Sequence, residues 1–113
     1  MIDDQYPGER DPLNTMFDVL RHGIRRHILV ELADHNPRTE AEFETEEFVA
    51  AAGNPDSPET QLHHIHLPKL ADSGFINWDS QTETITRGPR FREFELLLVL
   101  IDDHQDTLPS DWP

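Results

Sequence analysis

Residues 62–87 read LHHIHLPKLADSGFINWDSQTETITR, and the fold is decided inside this stretch. Its first part is helical in pattern, carrying Leu62, Ile65, Leu67, Leu70 and Ala71. Pro68 lies within that pattern, removes one backbone donor and is expected to kink the helix. Gly74 ends it. Phe75-Ile76-Asn77-Trp78 and Thr84-Ile85-Thr86-Arg87 then alternate as strands do, with Asp79 to Glu83 as the hairpin loop. A helix that runs through one glycine into a β-hairpin is a specific arrangement, and the flanking sequence can be read against it.

Upstream, the spacing predicts that this helix begins near Pro58, after a turn at Asn54-Pro55-Asp56-Ser57-Pro58. Asp11-Pro12 is a helix start, with Asp as N-cap and proline in the first turn. Leu13, Met16, Phe17 and Leu20 follow at i, i+3, i+4, i+7 and give one apolar face. Gly23 marks a break, after which Ile24, Ile28, Leu29 and Leu32 define a second helix that fades by Asn36-Pro37. Residues 38–53 hold two competing patterns. Thr39 with Glu42 forms a capping box, and Thr45 can cap as well. The preferred reading is a short strand at Glu42-Phe43-Glu44, then a helix from Thr45 to about Ala52 stopped by Gly53. Downstream, Gly88-Pro89 closes the hairpin and opens a last helix, Pro89 to about Asp103.

The order is helix, helix, short strand, helix, helix, hairpin, helix. This is an α+β, mainly α chain on the winged helix-turn-helix plan: a three-helix core, a β-hairpin wing and a C-terminal helix. The expected organisation is an acidic N-terminal tail over residues 1–11, one domain over 12–104 and a proline-rich tail over 105–113.

Two strings carry a resemblance to known families. Phe17-Asp18-Val19-Leu20-Arg21-His22-Gly23-Ile24-Arg25-Arg26-His27-Ile28-Leu29 resembles the opening helices of ArsR-like winged-helix regulators. Leu62 to Ile76, followed by Asp79 after the first wing strand, is similar to an uncharacterised winged-helix family abundant in haloarchaea. The likeness spans about residues 13–104. It implies a presumed DNA-binding domain and a cytoplasm of multimolar salt.

Composition agrees with the salt reading. The chain has 113 residues, 23 Asp plus Glu against 9 Lys plus Arg, a net charge of −14, and no cysteine. Lys69 is its single lysine. No apolar run approaches the ~20 residues needed to span a bilayer. Membrane spanning, export, a disulfide scaffold and a thiolate metal site are thus excluded as expectations, and the cytoplasm is the expected location. The charge is also uneven: −3 over residues 1–11, 0 over 12–35, −6 over 36–60, 0 over 61–74, +1 over 75–92 and −6 over 93–113. The stretches of strongest apolar periodicity are the least acidic, which suits a folded domain with acidic surfaces better than a disordered chain.

In a winged helix the second helix of the helix-turn-helix enters the major groove and the wing touches backbone or minor groove. On that plan the DNA contacts fall to Gln61, His63, His64, His66 and Lys69 on the helix and to Arg87, Arg90 and Arg92 at the wing. Arg25 and Arg26 are further candidate DNA contacts: with Arg21 they stand near the first elbow, placed either to grip phosphate or to solvate a surface. A helical wheel puts Leu62 and Ile65 toward one side, Leu67, Leu70 and Ala71 toward another, and Gln61, His64, Pro68 and Asp72 in the remaining sector. That sector reads bases poorly, so a winged helix that binds protein is the alternative. A metal-responsive sensor is the lesser one. His63 and His66, at i and i+3, share a helix face and could ligate a metal with Asp102, Asp103 or His104. Against it stand the missing cysteine and the ordinary role of histidine as a hydrogen-bonded core residue, so no metal and no cofactor are assigned.

No glycine-rich phosphate loop, nucleophile elbow or calcium loop is present, and no enzyme activity is expected. Trp78 is expected to pack in the hairpin. In the last helix Phe91, Phe94, Leu96, Leu97, Leu98, Val99, Leu100 and Ile101 cover nearly the whole circumference, more than one buried face requires. Phe91, Phe94, Leu97, Leu98 and Ile101 are therefore assigned to a homodimer interface. The expectation is a dimeric, DNA-binding transcriptional regulator.

Overall fold

The computed structural model describes residues 12–45, 48, 62–109 and 112–113. Within them the chain is α+β and mainly helical. Helix α1 (Pro12–Leu20) turns at Arg21-His22 into α2 (Gly23–Asp34). Strand β1 (Arg38–Thr39) leads into a 3-10 turn, Glu40–Phe43. A π-helical turn, Leu62–His66, continues into α3 (Leu67–Asp72). Strands β2 (Ile76–Asp79) and β3 (Thr84–Arg87) form the hairpin, and α4 (Phe91–Asp102) follows. The antiparallel sheet has the order β1-β3-β2, with Trp78 opposite Ile85 and Arg38 opposite Ile85 on the other side.

The core explains the segment boundaries. Val19, Ile24, Ile28, Leu29, Leu32, Leu62, Leu67, Leu70, Phe75, Ile85 and Phe94 are all buried in one cluster. Two helices on either side of the Gly23 elbow, the Leu62–Asp72 segment, the hairpin and the first turn of α4 each contribute to it. Gly74 sits at φ +85°, and the Phe75 N–H reaches the Leu70 carbonyl at 3.1 Å while the Gly74 N–H reaches Ala71 at 3.0 Å. This is the Schellman pattern, which needs a left-handed residue and so favours glycine. Gly88 is required for a different reason. A Cβ there would lie 2.6 Å from the Gly74 carbonyl oxygen and 2.7 Å from the Ile76 nitrogen.

Three expectations are corrected. The short strand lies at Arg38–Thr39, upstream of Glu42–Glu44, because the capping pattern wins: Glu42 Oε2 accepts the Thr39 N–H at 3.1 Å and starts the 3-10 turn. The kinked single helix is instead a π turn joined to α3. Pro68 removes the donor that an α-helix would direct to the His64 carbonyl, and the wide turn lies just before it. Ile65, placed on a packed side by the helical wheel, is 49 % exposed. Of the helix expected from Thr45 to Ala52, Thr45 lies in a bend, Phe48 is helical and the rest lies outside the described residues, as do the 54–58 turn, Gln61 and the start expected near Pro58.

No helix among the described residues is long and apolar enough to cross a membrane.

Candidate functional site

The residues assigned to DNA contact part into two groups. His64 is exposed, Lys69 is half-exposed and Arg92 is exposed. With exposed Ile65 and Asp72 and half-buried Pro68, they define the outward side of the π turn and α3 and the start of α4. Lys69 Nζ pairs with Asp18 of α1 at 2.5 Å, and that contact holds the Asp18 carboxyl below its ordinary range. The wing loop adds exposed Asp79 and Glu83.

Arg21 is exposed and pairs with Asp18, whereas Arg25, Arg26, Arg38, Arg87 and Arg90 face the carbonyls that end helices. Arg25, 3 % exposed, donates from Nε to the Val19 carbonyl at 2.9 Å and from Nη2 to Asp18 at 3.0 Å. Arg26 donates to Leu20 at 2.6 Å. These bonds satisfy the last carbonyls of α1, which have no partner within the helix. Arg87 closes α2 in the same way, through Leu32 and Ala33 at 3.1 and 2.9 Å. Arg38 reaches Glu31 and His35 of the same helix end. Arg90 donates to Ser73 at the end of α3 at 3.1 Å, lies over the Phe75 ring and pairs with Glu93, which raises its proton affinity further. A guanidinium suits this use, because its planar fork serves two carbonyls and helix C-termini favour cations. Burial lowers the Arg25 pKa from its ordinary value, with nearby Arg21 acting in the same direction. Arg25, Arg26, Arg87 and Arg90 are thus built into the fold, and no sequence signal separated them from surface arginines.

The two histidines expected to share a face do not. Fewer degrees separate successive residues in a π turn than in an α-helix, so i and i+3 swing apart. His66 is 2 % exposed, 5.5 Å from the His22 ring, and its Nδ1 has no hydrogen-bond partner among the described residues. Burial, then Arg25 and His22, push its pKa down to about 4. His63 points elsewhere. Its Nε2 lies 2.7 Å from Glu40 Oε1 and 3.4 Å from Glu44 Oε2. Trp78 of β2 donates its indole N–H to Glu40 Oε2 at 2.6 Å. Glu40 is only 5 % exposed, a buried carboxylate that the sequence presented as one member of an acidic run. Asp102, Asp103 and His104 lie exposed at the end of α4. Among the described residues the one grouping of three ligand-type side chains is Glu40, Glu44 and His63.

The assigned dimer face divides as well. Phe91 and Phe94 are buried in the chain's own core, and Leu97 and Leu98 pack against it. Ile101 is half-buried. The residues that α4 exposes are Leu96, Val99 and Leu100, and α1 exposes Leu13 and Phe17. The amphipathic turn of α4 is therefore shifted by about one residue from the expected face.

The chain belongs to the family described as a domain of unknown function, DUF7344, whose model matches residues 17–86. That range runs from the end of α1 through the hairpin and includes Glu40, His63, Trp78 and the π turn. No curated protein and no solved structure matches the chain.

Proposed function

We propose that this chain is a winged helix-turn-helix domain that docks on duplex DNA in gene regulation. The observation that carries the reading is the chain order α2, β1, π turn with α3, β2, β3 together with the sheet order β1-β3-β2. It matches the winged-helix plan, in which the hairpin wing follows directly on the recognition helix. The outward residues His64, Ile65 and Lys69, with Arg92 at the foot of the wing, are the contacts this reading assigns. Arg25, Arg26, Arg87 and Arg90 support the scaffold instead.

The reading carries a quantitative expectation about salt. Affinity falls with log salt at a slope of about −0.9 per phosphate neutralised. Lys69 is already paired with Asp18, so the slope is expected near −2 or shallower. The test is selection of bound fragments from a genomic DNA pool in 2 M KCl, followed by anisotropy titration of an enriched fragment against KCl. A reproducibly enriched sequence supports the reading. A slope steeper than about −4 contradicts this contact set, and no enrichment at any salt contradicts DNA docking itself.

A second reading, a winged helix that binds protein, is favoured by one specific observation: five arginines are directed to helix-end carbonyls while apolar side chains stay exposed on α1 and α4. The simplest occupant of Leu96, Val99 and Leu100 is the same helix of a second copy. Light scattering in 2–3 M KCl tests it. A dimer that Val99→Glu converts to monomer fits, and a wild-type monomer removes it.

A further inference from the structure

Glu40, Glu44 and His63 come from two parts of the chain, the turn after β1 and the π turn before α3, and converge on one point. The charges there do not balance. Two carboxylates face one imidazole, which brings at most one positive charge and one Nε2–H. That proton can be donated to Glu40, 2.7 Å away; Glu44 is then left at 3.4 Å, beyond a good hydrogen bond. No Lys or Arg among the described residues pairs with either carboxylate. Behind the cluster, the Trp78 indole N–H fixes the second oxygen of Glu40 at 2.6 Å, as an outer-shell donor orients a metal-ligating carboxylate.

We propose that Glu40, Glu44 and His63 bind a first-row divalent cation, of which Zn2+ is the best fit, tying the π turn to the segment after β1. The donor set of one imidazole nitrogen and two carboxylate oxygens suits zinc and manganese and disfavours magnesium and calcium. Zinc–donor bonds of about 2.0–2.2 Å place tetrahedral donors roughly 3.3 Å apart. The three donor atoms already lie within 4.8 Å of one another, so side-chain rotations that close a donor pair by at most about 1.5 Å complete the geometry. The cation takes the Nε2 lone pair, and the proton shared between Nε2 and Glu40 leaves to solvent. Two carboxylates then face a charge of +2. Solvent fills the remaining position beside Glu44, which is the more exposed carboxylate.

The experiment uses the full chain, stripped with chelator and titrated calorimetrically with Zn2+ in molar KCl and excess Mg2+ to mask carboxylate-only sites. One equivalent should bind and raise the melting temperature, with Mn2+ binding more weakly. Glu44→Gln, which removes a half-exposed carboxylate and leaves the Trp78–Glu40 bond, should lower Zn2+ affinity at least tenfold. His63→Gln should abolish the high-affinity step. Co2+ bound by the wild type should give a visible spectrum that His63→Gln loses. Absence of saturable Zn2+ binding overturns the proposal. Equal Zn2+ affinity in the wild type and both variants overturns it as well.

Discussion

The two ends of the Leu62–Asp72 segment are held by different chemistry. At the far end, Gly74 in a left-handed conformation, the close approach of Gly88 and the Arg90 guanidinium fix α3 to the hairpin. These are backbone geometry and a permanently charged fork. At the near end the π turn is tied by His63, Glu40 and Trp78, with His66 buried beneath it. Among those side chains burial holds His66 neutral, and Glu40 and His63 offer ligand atoms. The far end therefore answers to sterics, and the near end to protons and cations.

The contrast breaks most severely at Gly88. An alanine there sets its Cβ 2.6–2.8 Å from three backbone atoms, and overpacking that moves backbone costs about 1–3 kcal/mol, with this junction expected at the upper end. Urea unfolding at fixed KCl should show that loss, and Zn2+ should not restore it. A loss under ~1 kcal/mol would mean that the junction yields, and the far end would no longer differ in kind.

At the near end the expected signature is acid sensitivity. His66 stays neutral in the fold down to about pH 4, whereas an unfolded chain takes up that proton near pH 6.5. The depressed value means that stability is complete above about pH 6.5 and is lost as pH falls toward 4, by up to ~3 kcal/mol. His22, lowered chiefly by burial, acts in the same direction. The carboxyls of Asp18 and Glu42, lowered by hydrogen bonds to Lys69 and Arg38, lose their share below the ordinary carboxylate range. A pH series of thermal melts should flatten between 6.5 and 4 in the double variant His22→Gln, His66→Gln. An unchanged profile would reject the assignment.

Glu40→Ala comes next in size. It strands the Trp78 indole N–H and removes one partner of His63, for an expected cost of about 2 kcal/mol by denaturant unfolding. A neutral result would show that water replaces the carboxylate without loss. Smallest is Asp18→Asn, which frees Lys69 from a surface pair and should change stability by under ~1 kcal/mol. If DNA docks on this face, the same substitution should strengthen binding several-fold at low salt. Weaker or equal binding would take Lys69 out of the contact set.

Much of the architecture was legible because it rests on local signals. Proline in the first turn of α1, the Gly23 elbow, the Gly74 stop and the alternation in β2 and β3 each mark their own boundary. The candidate site was less legible because its decisive contacts are long-range. Glu40 meets Trp78 38 residues away, and nothing in RTEAEFETEE distinguishes it from its solvated neighbours. The π turn misled the helical wheel by one position, so His66 was assigned outward and Ile65 inward. The pairing of His63 with Glu40 had one available clue, the i, i+4 spacing of Glu40 and Glu44. That spacing also occurs in any acidic helix.

The inward arginines also divide the surface into positions with different mutational freedom. Exposed carboxylates such as Asp72 and Asp103 are interchangeable with one another, because single charges at solvent-exposed positions contribute little to stability. Arg25, Arg87 and Arg90 each plug a particular helix end, and a lysine there would keep the charge while losing the fork. Drift toward fewer acids would thus leave the scaffold intact, whereas exchanging arginine for lysine would loosen it one helix at a time. Tolerance in this chain is set by which carbonyl a cation seals, not by how many charges the chain carries.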